Sequence, residues 1–533
     1  MTKSSCHDIS LVQDATITDK PTHLAHAQNS LSHMPLSRRV VVIFALALTI
    51  FLGSFDLTVV STTIPSIAHE FNALSNATWI STAYMLAATA MQTVYGKLSD
   101  IFGRTAALLS AVAIFTAGSV ACGWAPNLSV LIFGRALQGV GGSGLVSLAF
   151  IIVSDLTTEQ ERSGYFAGFN LVWTLSSIIG PVLGGVFSDK ASWRWAFWIN
   201  LPLAGLIFIV TMFYLQLPMP KDSFWIKLKQ VDFVGALVLI GGVVMLLLAL
   251  TWGGNMFSWT SARVICLLVF GVLALCLFLL IEWKVAVNPI VPLHLFSSRN
   301  VSLMVLSQFF IWIGMYSVIF FVPIWYAIVK NGSSINLGLH LLPFLLGISV
   351  VSIGIGFWVS KTKHYRGFIL FGTILFVLGS GLIILFDEHT SSAEQICFLL
   401  IMGCGLGFMI QTMLLAMQVA VPIKYMAPAT AVFMFARMLG SSIGIAVLQS
   451  IFQNKALPKL GLLSQQHPEY AANIANTFND QSTIYTASFP LEIRNQIIHC
   501  YVIALQKVFI AATGFTAIVL LLVVGVKHIP LRQ

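Results

Sequence analysis

Apolar residues in this chain fall into fourteen runs separated by short polar breaks. They lie near 40–62, 78–95, 105–124, 129–153, 164–186 and 194–217, then 232–252 and 263–283, then 302–326, 338–360, 368–387, 395–421, 429–452 and 503–526. Each is close to or beyond the roughly 20 residues that a helix rising about 1.5 Å per residue needs to cross a bilayer. Membrane strands would be runs of about ten residues alternating in polarity, and these runs do not alternate. The pattern predicts an all-α polytopic membrane protein of about fourteen transmembrane helices. Breaks holding Pro and charge at 218–231 and 284–301 divide the runs as six, two and six. The expected organisation is a disordered cytosolic tail (1–39), an N-terminal six-helix bundle (40–217), a two-helix insertion (218–290) and a C-terminal six-helix bundle (291–533) with an outer loop over 453–502. Glycine patterns recur between the bundles: GVGGSG (139–144) with GCGLG (403–407), GPVLGG (180–185) with GSSIG (440–444), and a basic turn after the second run of each. Such repeated halves are how many transporters place a substrate site near the bilayer midplane.

Composition agrees and excludes other classes. Hydrophobic residues make up 57% of the 533 and charged residues 9%, against about 45–50% and about 25% in ordinary soluble domains. A soluble enzyme, a disordered scaffold and a nucleic-acid-binding protein are excluded, and the net charge of +9 reflects topology. With a cytosolic N-terminus, 18 Lys and Arg residues fall in cytosolic segments and 7 in outer ones, the bias expected of an even number of spans with both termini cytosolic. The polar tail lacks a basic start followed by an apolar core, so no cleavable signal peptide is expected. The seven cysteines form no CxxC pair and read as small buried hydrophobes rather than disulfides or metal ligands. Sequons at Asn76, Asn127 and Asn331 fall on the outer side, in loops short enough to make modification doubtful.

Few charged or amide side chains lie within the runs, which makes each a candidate. Gly139-Val-Gly-Gly-Ser-Gly144 fits GxGxxG, but it lies inside an apolar run with no strand before it. Close helix packing explains it better than a dinucleotide. Asp56 is the one acidic residue well inside a run, a costly position that marks a functional site by default. Counted from the run ends, Asp56 lies roughly 10 Å and Arg135 roughly 9 Å below the outer surface. Equal depth allows a buried pair, either static or functional. In GKLSDIFGR (96–104), Gly96 and Gly103 suit tight turns, while Asp100 and Arg104 put opposite charges at the cytosolic face, for orientation or for holding one of two conformations. Arg437 has no carboxylate in its own run and could cap carbonyls or meet an anionic or carbonyl-bearing substrate. Asn170, Gln308, Gln411 and Gln418 could bridge helices or touch substrate. Phe309, Trp312, Tyr316 and Phe320 form a stripe on one helix face, and Asn170, Trp173 and Ser177 share another. Each could face lipid or wall an apolar ligand site.

These motifs, in this order, resemble the major facilitator superfamily, in particular its fourteen-span drug:proton antiporter branch and the fungal multidrug and toxin efflux members. The family's loop pattern G-x-L-A-D-R-x-G-R-K-x-x-L is matched at Gly96, Leu98, Asp100, Gly103, Arg104 and Leu108, with departures at Ser99, Ile101 and Thr105. The fifth-span antiporter motif is similar to Gly180-Pro181-Val-Leu-Gly184-Gly185, and the fourth-span motif to Arg135-Ala-Leu-Gln138-Gly139. The first-span motif resembles Asp56 through Pro65, and Trp193-Arg-Trp-Ala-Phe-Trp-Ile-Asn200-Leu-Pro202 is typical of the branch. The resemblance implies proton-linked roles for Asp56 and Arg135, a gating role for the 96–104 loop, and export of small amphipathic compounds in exchange for protons. It implies no enzyme activity and no cofactor, a monomer in the plasma membrane or alternatively the vacuolar membrane, and small molecules, protons and lipid as its partners. An uptake carrier of basic amino acids or siderophores is the alternative. A membrane sensor or enzyme would need a signalling domain or catalytic cluster, and neither is visible. Exporters of dicationic drugs carry acids in the later spans, as the resemblance implies. Here runs 9, 10, 12, 13 and 14 have none and run 11 only Asp387 at its outer end, so neutral or weakly acidic substrates are expected.

Overall fold

A computed structural model of the chain describes residues 35–71, 79–215, 217, 223–254, 256–286, 288–331, 340–479, 483–487, 489–527 and 529–530. The expected tail (apart from 35–39) and the Asn76 sequon lie outside the described residues. Among these residues there is no named strand, only an isolated bridge between Gly253 and Phe257. Fourteen long helices account for the fourteen runs: α1 (Leu36–Glu70), α2 (Trp79–Phe102), α3 (Arg104–Gly123), α4 (Leu128–Leu156), α5 (Glu159–Lys190), α6 (Asn200–Tyr214, after one turn at Trp195–Trp198), α7 (Phe233–Trp252), α8 (Ala262–Lys284), α9 (Arg299–Lys330), α10 (Leu342–Thr362), α11 (Arg366–Ile383), α12 (Ser392–Val419), α13 (Met426–Gln466) and α14 (Leu491–Val524). Thirteen are long and apolar enough to cross a membrane. The exception, α2, has 24 residues but is diluted by polar ones, of which Thr89, Gln92 and Thr93 are buried. Its polarity therefore faces protein.

Helix ends follow local chemistry. Asn127 accepts the Val130 amide at 3.0 Å and Asp232 the Gly235 amide at 2.7 Å. Ser391 and Glu394 form a capping box at the start of α12, each satisfying donors that a first turn leaves unpaired. Between α2 and α3 the chain turns at Gly103 with φ +96°, a conformation that side chains with a Cβ rarely adopt.

Two packing patterns repeat eight helices apart. In the first half α1 packs on α5 and α6, α2 on α4, and α3 on α4; in the second α9 packs on α13 and α14, α10 on α12, and α11 on α12. Across the halves α2 meets α13 and α10 meets α5, again equivalent pairs. The architecture is two pseudo-symmetric six-helix bundles. The helices α7 and α8 pack on each other, and α7 also leans on α2 and α13.

Two expectations change. The segment expected as an outer loop over 453–502 is largely helical: α13 continues to Gln466, short helices follow at Ala471–Asn479 and Thr483–Thr486, and α14 begins at Leu491. It is tied down by Tyr485 donating to the Ile328 carbonyl at 2.7 Å and by a Thr477–Tyr501 hydroxyl contact at 3.0 Å. Polar composition hid it, because helices propped against protein need no apolar run. Of the described cysteines only Cys122 is buried, whereas Cys266, Cys276 and Cys397 are exposed on outer helix faces. There apolar character suits a hydrocarbon surface as well as a core.

Candidate functional site

The first constellation is built on Asp56, midway along α1. Its side chain is 0% exposed and pairs with Arg135 of α4 at 2.5 Å. Its other oxygen accepts from Gln138 Nε2 at 3.0 Å and from Asn200 Nδ2 at 2.8 Å. Gln138 also accepts from Arg135 at 2.8 Å and donates to Ser119 at 2.8 Å. Arg135 further donates to the Ile80 carbonyl at 3.0 Å and lies 4.5 Å from the centre of the Tyr84 ring. Side chains from α4 and α6 thus converge on the carboxylate of α1, and Ser119 of α3 backs them through Gln138 and Asn200. The equal depth read from the run ends held because a straight helix has a fixed rise. Asn200 entered the sequence reading only as part of a longer motif. Its Oδ1 has no hydrogen-bond partner, and its position beside Asp56 depends on how α6 is rotated.

The second lies at the end of α2. Arg104 bonds Asp100 at 2.5 Å, Asp155 at 2.6 Å and the Ser99 hydroxyl at 2.7 Å. The expected Asp100–Arg104 pair forms, but it is half of a clamp whose other half, Asp155 at the end of α4, was not singled out. Asp155 sits just past an apolar run, where an acid reads as an ordinary helix end. Both departures from the family pattern that carry hydroxyls are engaged: Ser99 accepts from Arg104, and Thr105 donates to the Leu215 carbonyl at 2.8 Å. The two halves meet on this same face. Gly96 lies against Ala431, Gly356 against Ser163 and Ala167, and Gln418 donates to Ser154 at 2.8 Å and Thr430 at 2.9 Å. Gln418 therefore bridges helices.

Near the centre, between the halves, is a cavity of about 20 Å³, far smaller than the roughly 300–1,000 Å³ of ordinary ligand pockets. This conformation is closed around it. It is lined by Phe150, Phe166 and Asn170 from the first half and by Gln308, Trp312, Ile410, Gln411, Leu414, Phe433, Met434 and Arg437 from the second. Five candidates from the sequence (Asn170, Gln308, Trp312, Gln411 and Arg437) are thereby brought together. Arg437 caps no broken helix: its guanidinium carbon lies 3.6 Å from the centre of the Trp312 ring. The aromatic stripe splits. Trp312 is buried in the cavity wall, Tyr316 packs behind it with ring centres 5.8 Å apart and planes tilted by 42°, and Phe320 is 44% exposed. Tyr316 and Trp173 do not line the cavity. Phe150, Phe166 and Phe433 were missed, since a phenylalanine in an apolar run carries no signal of which way it points.

The glycine motifs serve contact. A Cβ at Gly180 or Gly184 would overlap Thr58 or Thr62 of α1, so α5 lies directly on the helix carrying Asp56. Pro181 sits inside α5 without ending it, and Gly185 faces open space, so packing does not account for Gly185. Within 139–144, the glycines meet Tyr84, Phe115, Ala111 and Tyr95, the close helix approach expected of them.

Comparison with known proteins adds the family. Residues 46–230 and 231–445 match the family model described as Major Facilitator Superfamily. The chain is 36% identical over 488 residues to the efflux pump dotC of Dothistroma septosporum, covering 92% of this chain and 84% of that one. It is 31% identical over 512 residues to the efflux pump aflT of Aspergillus parasiticus, covering 95% and 99%. Among solved structures, that of the human organic anion transporter MFSD10 (TETRAN) aligns with a TM-score of 0.57 at 16% identity, over 92% of this chain and 100% of that one. At that identity the likeness concerns the fold alone.

Proposed function

The chain belongs to the Major Facilitator Superfamily, and from that premise we propose that it is a transporter rather than an enzyme, exporting small amphipathic compounds in exchange for protons by alternating access. The observation that carries the reading is the pairing of two separate polar centres: a fully buried carboxylate, Asp56, in one half and a mixed aromatic and polar cavity between the halves. Names of the fungal relatives support export as the direction. Proton exchange would run through Asp56, the carboxylate that Arg135, Gln138 and Asn200 surround. Protonation neutralises Asp56 and releases Arg135, which loosens the contact between α1 and α4. Because Gly180 and Gly184 pack α5 on α1, that movement reaches a helix that also contributes Asn170 to the cavity. The Asp100–Arg104–Asp155 clamp would hold the cytosolic side shut. The Lys and Arg bias supports a cytosolic location for both termini, and export from the cell favours the plasma membrane with the monomer as the working unit. A cavity with no acidic lining residue argues against basic amino acids as cargo.

Expression in a transporter-deficient yeast strain, scored for growth across toxic amphipathic compounds, tests the reading. Inhibitory concentrations for at least one compound class should rise several-fold, and Asp56→Asn should remove the gain. Unchanged sensitivity to every compound, with the protein present at the cell surface, would refute export.

Asn200 offers a finer test. Asn200→Leu removes one donor from Asp56 and, with it, an unpaired buried carbonyl. We expect binding of cargo to change less than threefold, while gradient-driven transport falls several-fold, because the carboxylate loses one of the three donors that hold it. Transport and binding that fall together, or neither changing, would leave Asn200 a purely structural role.

A further inference from the structure

The central cavity is rich in hydrogen-bond donors and poor in acceptors, and this specifies its cargo more narrowly than the apolar lining does. Arg437 makes one weak hydrogen bond, to the Met434 sulfur at 4.0 Å, and no carboxylate pairs with it among the described residues. Its guanidinium lies over Trp312 at 3.6 Å. Stacking uses the face of the planar group and leaves the N–H edge free, and that edge is the part matched in shape to a carboxylate. The Gln308 carbonyl takes the Trp312 N–H at 3.0 Å, and the hydrogen bond that Arg437 makes goes to the Met434 sulfur instead. Asn170 Nδ2 and both amide atoms of Gln411 are buried on the cavity wall without partners. Buried polar groups are otherwise nearly always paired, so unpaired ones gathered on one cavity from three helices point to a ligand that satisfies them.

We infer that the cavity is a receptor for the ionised form of flat, apolar organic acids, such as aromatic carboxylates or enolates. Their anionic oxygens would lie against Arg437 and Gln411, and their ring would lie along the cavity's aromatic walls. The inference rests on the cavity being the cargo site of the proposed exporter. An uncompensated guanidinium is costly in a low-dielectric interior. A neutral carbonyl offsets only part of that cost, whereas an anion removes it. The acid is held at a point separate from Asp56, so cargo charge and proton charge do not compete for one group.

Equilibrium binding to the purified full-length protein, read from ligand fluorescence with protein-free micelles subtracted, compares anthracene-2-carboxylate with its methyl ester at pH 7. The acid should bind wild type at least tenfold more tightly than the ester. Arg437→Gln should abolish that preference, bringing acid and ester affinities within threefold of each other. Gln411→Leu, which keeps the charge, should narrow the acid-over-ester preference about fivefold, and it carries the test if Arg437→Gln does not fold. Equal affinity of acid and ester for wild type, no binding of either, or a preference that survives in Arg437→Gln overturns the inference. No gradient is present in this measurement, so a failure of proton coupling in transport leaves the result standing, and a failure here leaves proton coupling standing.

Discussion

Asp56→Asn is expected to lower pH-gradient-driven transport in reconstituted vesicles by at least a hundredfold while binding of cargo to the purified protein stays within about threefold. An amide in that position cannot take up and release a proton, and the cavity proposed to contact cargo does not include residue 56. The geometry adds a second expectation. Asp56 has three donors on its two oxygens, whereas asparagine has one oxygen and brings donors of its own. The substitution also leaves Arg135 buried without its counter-charge, a change that typically costs about 3–5 kcal/mol. The single variant should therefore melt lower than wild type. Asp56→Asn combined with Arg135→Gln removes both charges and should regain much of that stability without regaining transport. Recovery of transport in the double variant, or wild-type transport in the single one, would show that Asp56 is only a packing element.

The second large effect is expected at the clamp. Asp100 is 22% exposed whereas Asp155 is 6% exposed, so water screens the first contact with Arg104 far more than the second. Hydrogen bonds to charged groups contribute about 1.5–3 kcal/mol where solvent is excluded, enough to shift a two-state population roughly ten- to a hundredfold. Asp155→Asn should therefore open the 96–104 face much more than Asp100→Asn. Single engineered cysteines near that face should become at least tenfold more reactive in the first variant and only about twofold in the second. Equal effects of the two substitutions would mean that both contacts hold the face alike, a larger effect of Asp100→Asn would assign it to the sequence-adjacent pair, and no change in either would confine the loop to setting orientation.

The sequence by itself determined the class, the number of helices and the family. In hydrocarbon each spanning segment must satisfy its own backbone hydrogen bonds, so length and apolarity within one run suffice to identify a helix. Repeated glycine patterns pointed to two related halves for the same reason: close approach is written locally, in the absence of a side chain. The depth of Asp56 and Arg135 was legible too, since helical rise converts residue number into distance. What the sequence could not supply was azimuth, the direction each helix turns its polar residues. Helix rotation in the assembled bundles brought Asn200 and Gln138 to Asp56, brought Asp155 to Arg104 from another helix, and laid Arg437 over Trp312. It also split the aromatic stripe, turning Trp312 inward while Phe320 stays exposed. A buried polar group costs energy until a neighbour answers it, and which neighbour answers is decided only when the helices pack.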